Sequence, residues 1–136
     1  MVQDTAEAIF ARGFNCAQAV LGAFAEDLGM DFQAAMRVAS SLGGGIAHTG
    51  EACGAAIGMC MAYGLAAGYC TDPDMDTKSA HNARVKAMME AFRAKFGHMD
   101  CDDLRVVGNR SVCVPYVRFA AEEAERAIRE NAPGKN

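Results

Sequence analysis

Residues 52–69 read ACGAAIGMCMAYGLAAGY, 18 consecutive positions without a charged side chain. A run of that length is long enough to cross a bilayer. Its content points elsewhere. Ten of the 18 residues are glycine or alanine, and Glu51 stands at its edge. Small side chains let neighbouring backbones approach closely, and a helix apolar all round belongs in a protein interior. The segment is therefore expected to be the buried helix of a globular fold, not a membrane span. Gly54, Gly58, Gly64 and Gly68 each cost such a helix about 1 kcal/mol relative to alanine. Two gains could offset that cost: tight helix–helix packing, or room for something that is not a side chain.

The rest of the chain reads as helix around this segment. Its 136 residues suit one domain with one core. β-branched residues are sparse, no alternation persists, and Ala, Met, Glu and Arg dominate. Helices are expected over residues 5–12, 16–28 behind an Asn15 cap, and 31–42 behind Asp31. Thr49 is expected to cap a helix over 50–68, followed by a long helix over 77–96 that stops at Gly97. Asp100 should open a short helical turn through 106, and Ser111 a last helix to 131. The expected architecture is all-α: a single-domain bundle of five to six helices over 1–131, with 132–136 as a flexible tail.

The net charge of −4 comes with no lysine/arginine cluster, which argues against nucleic acid as a partner. The opening residues, MVQDTAEAIFARG, lack the basic patch and apolar core of a secretory signal, so a cytoplasmic location is expected. The apolar small-residue surface permits a homodimer. Six cysteines are many for such a chain, and without export a disulfide framework is not expected. Metal binding or thiol redox chemistry is favoured instead. The nine methionines read as core filler.

Four of the cysteines fall at expected helix starts. Cys16 follows Asn15, Cys53 lies in the first turn after Thr49, Cys101 follows Asp100, and Cys113 lies two positions after Ser111. Free N–H groups and the helix dipole there favour a thiolate, which is both the nucleophile and the metal ligand. Asp102 and Asp103 oppose that effect at Cys101. Cys60, between Met59 and Met61, reads as packing, although it shares a helix face with Cys53 and could line the same cavity. Cys70 reads as a bystander.

These residues carry a resemblance. GFNCAQAV with Cys16, GGGIAHTGEACGAAIG with Cys53, CDDL with Cys101 and SVCVPYV with Cys113 occur in the order of the C_GCAxxG_C_C family. Cys53, Gly54, Ala55 and Gly58 supply its central CGAxxG motif, and the chain resembles that family over nearly its full length. The resemblance implies redox activity resting on the four cysteines. A related domain occurs in split-Soret cytochromes, which adds haem and iron–sulfur chemistry. No C-x-x-C-H occurs here, so covalent haem is not expected.

Three readings stay open. Cys16, Cys53, Cys101 and Cys113 could hold a 2Fe–2S or 4Fe–4S cluster for electron transfer or sensing, although no compact C-x2-C spacing appears. A metal-free thiol–disulfide oxidoreductase would use Cys53 as nucleophile and Cys16 as its partner. A non-catalytic module would hold zinc or another soft ion on the same thiolates. His48, five positions before Cys53, is the candidate accessory ligand or proton donor. The redox partner or small-molecule substrate is not legible.

Overall fold

The computed structural model describes residues 1–131; residues 132–136, and the tail expectation with them, lie outside the described residues. Seven α-helices and one 3-10 turn make up the fold, and no strand occurs among the described residues. They are α1 (Val2–Ala11), α2 (Cys16–Ala25), α3 (Phe32–Ala39), α4 (Gly54–Ala67), α5 (Met75–Phe96), α6 (Cys101–Leu104) and α7 (Val114–Glu130), with the 3-10 turn at Arg110–Cys113 leading into α7. The all-α expectation holds, with one more helix than the expected upper count of six. Among the described residues, no helix is long and apolar enough to cross a membrane.

Local chemistry sets most boundaries. Asn15 and Gln18 form a reciprocal capping box at the start of α2: Asn15 Oδ1 accepts from the Gln18 N–H, and Gln18 Oε1 accepts from the Asn15 N–H. Asp31 caps α3 through the Ala34 N–H at 3.1 Å, and Asp74 caps α5 through the Thr77 N–H at 2.7 Å. Gly97 ends α5 in the left-handed region that glycine reaches without strain, with φ of 82°. Pro115 sits in the first turn of α7, where its missing N–H has no helical partner to lose.

Helices α1, α2, α4 and α7 pack in a ring, α1 on α2, α2 on α4, α4 on α7 and α7 back on α1; α3 lies on α2, and α5 on α7 and α4. Alanine makes the ring tight. Ala6, Ala17, Ala55, Ala62, Ala120 and Ala124 are all fully buried. A Cβ added at Gly58 would stand 2.9 Å from both the Ala17 carbonyl oxygen and the Val20 Cβ, so α2 and α4 touch nearly backbone to backbone. Gly64 differs: nothing lies within 4 Å of its would-be Cβ. The apolar α4 is thus buried along one side only. Ile57, Met61 and Gly64 are partly exposed and Leu65 is exposed.

The main departure from expectation lies just before α4. The helix starts at Gly54, and Thr49 does not cap it. Residues 44–48 instead make a left-handed turn: Gly44, Gly45, Ile46, Ala47 and His48 have φ between 53° and 72°. For three L-residues with side chains this costs about 1–2 kcal/mol each. Five backbone bonds hold it, from Ala47 to Ser41, His48 to Gly43, Thr49 to Ile46, Gly50 to Gly44 and Glu51 to Gly45, at 2.7–3.1 Å. The Thr49 hydroxyl turns back to the carbonyls of Gly45 and Ile46, at 2.8 and 2.7 Å.

Gly58→Ala should destabilise the fold by about 1–3 kcal/mol, because the added methyl meets backbone that cannot yield. Gly64→Ala should stabilise it by up to about 1 kcal/mol, because only helix propensity changes. Urea unfolding of both variants checks the pair.

Candidate redox site

Four helix starts open toward one cavity of about 400 Å³, which is lined by Cys16, Cys53, Cys101 and Cys113. Cys16 is the first residue of α2, Cys53 the N-cap of α4, Cys101 the first residue of α6 and Cys113 the N-cap of α7. His48 also lines the cavity. Cys60 and Cys70 do not. Cys60 turns its sulfur to Met89 Sδ, 3.6 Å away, and Cys70 is exposed.

Two kinds of interaction order the four cysteines. A short antiparallel bridge links the chain around Ala52 to the chain around Asp100. In it the Cys53 N–H donates to the Met99 carbonyl at 2.8 Å, and the Cys101 N–H donates to the Glu51 carbonyl at 2.7 Å. The bridge sets Cys53 across from Met99 and Cys101 across from Glu51, so two cysteines 48 positions apart are tied to one short stretch of paired backbone. Gly50 makes room for this, since a Cβ there would collide with the Asp102 carboxylate. Cys16 and Cys113 are coupled through their thiols, a hydrogen-bonding interaction that shifts their two pKa values in opposite directions. Gly54 lets α4 reach that pair, because its would-be Cβ lies 3.3 Å from the Cys16 Cβ.

Helix starts do not lower every thiol pKa, contrary to expectation. The Cys16 hydrogen bond, aided by Arg110, brings Cys113 down to about 7. The same bond, then burial, holds Cys16 protonated far above its ordinary range. Burial pushes Cys53 up to about 11, and the N–H groups of Ala55 and Ala56 in the first turn of α4 offset only part of that rise. Burial also raises Cys101; Arg105 opposes it, and the expected contribution of Asp102 is the smaller one. Water loss outweighs the dipole at the buried positions.

The mouth of the cavity is a turn over residues 105–110, closed by a bridge between Val106 and Asn109. Arg110 reaches from it to the carbonyls of Phe10, at 2.6 Å, and Phe14, with its guanidinium 3.7 Å above the Phe10 ring centroid. Tyr116 lines the wall and donates its hydroxyl to the Leu104 carbonyl at 2.7 Å. Sequence reading did not single out Arg110, Tyr116 or this turn; the one available signal was that Arg110 precedes Cys113 by a single helical turn.

An all-helical domain that gathers four thiols from four helix starts around one cavity has the makings of a thiol- or metal-based redox protein. A family model described as "Putative redox-active protein (C_GCAxxG_C_C)" matches residues 14–127, and the chain belongs to that family. No curated protein and no solved structure matches it significantly.

In reduced, metal-free protein, iodoacetamide modification of Cys113 should rise through an inflection near pH 7, while Cys53 stays unmodified at pH 8. Cys16→Ala removes the donor that stabilises the Cys113 thiolate, so the inflection should move to higher pH. Peptide mass spectrometry over a pH series reads both effects.

Proposed function

We propose that the four-cysteine cavity binds an iron–sulfur cluster and that the protein transfers or senses electrons through it. One observation carries the reading: the four family cysteines, from four separate elements, line one cavity, and the other two cysteines do not. The donor set fits. Four thiolates match the ligand requirement of 2Fe–2S and 4Fe–4S centres. Backbone N–H groups of Ala55 and Ala56 stand beside one sulfur, and the wall carries few groups that would compete for iron. A bound cluster would supply one-electron chemistry. The chain's own residues would hold it and shape its surroundings. Cys53 and Cys101 come from the bridged side, Cys16 and Cys113 from the other. The turn over 105–110 would flank it, and the Tyr116 hydroxyl, raised in pKa chiefly by burial, would stay protonated.

The arrangement suits a polynuclear centre better than a single zinc ion. Zn–S bonds of about 2.3 Å bring four sulfurs to about 4 Å of one another. Among the described residues, no three Cys, His, Asp or Glu side chains converge to hold one ion. The sulfurs share a cavity wall, not a point.

A second reading rests on the coupled Cys16 and Cys113 thiols, which line the same cavity. A thiolate facing a protonated thiol is the starting point of disulfide exchange. The Cys113 thiolate would attack one sulfur of a partner disulfide and release the other as a thiol. Cys16 would then displace the remaining partner sulfur, leaving a Cys16/Cys113 disulfide and a partner reduced by two electrons. On this reading Cys113 takes the nucleophilic role that sequence reading gave to Cys53, and Cys16 stays the partner.

Anaerobic purification or reconstitution, followed by absorption spectroscopy and iron, sulfide and zinc analysis, separates the readings. The cluster reading expects stoichiometric iron and sulfide. Each of Cys16→Ser, Cys53→Ser, Cys101→Ser and Cys113→Ser should lower both at least severalfold, whereas Cys70→Ser should leave them unchanged. A colourless, metal-free protein that forms a Cys16/Cys113 disulfide on oxidation would replace the cluster with the thiol pair.

A further inference from the structure

Charge around the cavity is one-sided. No Asp or Glu of the described residues lines it, and two guanidinium groups do, Arg105 and Arg110. Arg105 stands 2.8 Å from Asp102, so the two together contribute little net field. Arg110 forms no ion pair with a described carboxylate. Its donors go to the Phe10 and Phe14 carbonyls, which satisfy its hydrogen bonds and leave its charge uncancelled. It sits one 3-10 turn before Cys113, on the element that delivers that sulfur to the cavity.

Reduction makes the four-cysteine site more negative, whether the electron enters a cluster or the Cys16/Cys113 disulfide opens to a thiolate and a thiol. A fixed positive charge nearby stabilises the reduced form more than the oxidised one and so raises the potential. We propose that Arg110 is a positioning residue that sets the reduction potential of the four-cysteine site, holding it higher through one uncompensated positive charge at the cavity wall. This rests on the cavity being the redox centre; it does not depend on which of the two centres forms there. Arg110 is exposed, so water and salt screen the effect, which should shrink as ionic strength rises.

The test compares Arg110→Gln and Arg110→Met, which remove the charge, with Arg110→Lys, which keeps it and loses the two-carbonyl fork. Circular dichroism establishes which neutral variant folds, and that variant is used. Iron and sulfide content of the reconstituted wild type is measured first. If a cluster is present, its potential is read by dithionite titration with mediators, at low and high salt. If none is present, the cluster reading fails, and the potential is read on the Cys16/Cys113 pair in glutathione buffers, where protein disulfide plus two glutathione thiols gives dithiol plus glutathione disulfide. In either case the neutral variant should have a lower potential, the lysine variant should stay near wild type, and the gap should narrow at high salt. Removing Arg105 together with Asp102 should leave the potential near that of wild type. An unchanged potential in the neutral variant, an equal shift in the lysine variant, or a shift in the Arg105/Asp102 double variant as large as that of the neutral variant would overturn the proposal.

Discussion

The near-contact of α2 and α4 is the constraint on which the rest of the structure depends. It is made possible by hydrogen atoms where side chains would stand. At Gly58 the two backbones meet through Ala17 and Val20, and at Gly54 the start of α4 comes up against Cys16. A methyl group at either position would separate the helices by a fraction of an ångström. Close-packed interiors absorb such shifts poorly. Because α4 also packs on α7, that approach helps to set Cys16, Cys53 and Cys113 around the same space. The glycines of α4 therefore have different roles: two give close approach, Gly64 faces open space, and Gly68 ends the helix.

The second constraint is backbone, not side chain. The bridge between residues 51–53 and 99–101 ties Cys53 and Cys101 to one short stretch of paired backbone. It also leans on the left-handed turn, since a Cβ at Gly45 would stand 2.5 Å from the Glu51 nitrogen and Glu51 accepts from Cys101. Three side-chain-bearing residues held at positive φ are costly, and they persist where surrounding bonds over-determine them. Here the cost falls beside the cavity, and His48 reaches the cavity wall from that turn.

Electrostatics then divides chemically identical thiols. Four cysteines at four helix starts do not share one reactivity, because burial and neighbouring sulfur outweigh the dipole. Coupling between Cys16 and Cys113 moves two like thiols in opposite directions, Cys16 up and Cys113 down. Such a site stays compact at neutral pH without carrying four negative charges.

Much of this was legible from the sequence. Glycine and alanine over 52–69 specified a closely packed helix, caps at Asn15 and Asp31 placed two helix starts, and the spacing of Cys16, Cys53, Cys101 and Cys113 against caps and motif separated them from Cys60 and Cys70. These are local properties: propensity, capping and periodicity act over a few residues and can be read there. Thr49 was misread because a hydroxyl before an apolar run has two uses, and the choice depends on carbonyls that only the left-handed turn brings back to it. Cys60 shares a helix face with Cys53, yet Met89 on α5 takes its sulfur. The coupling of Cys16 with Cys113, the bridge of Ala52 with Asp100 that holds Cys53 and Cys101, and the charge of Arg110 at the cavity wall join residues tens of positions apart. Only tertiary structure decided these, because they follow from how closely helices approach, which no local pattern of side chains records.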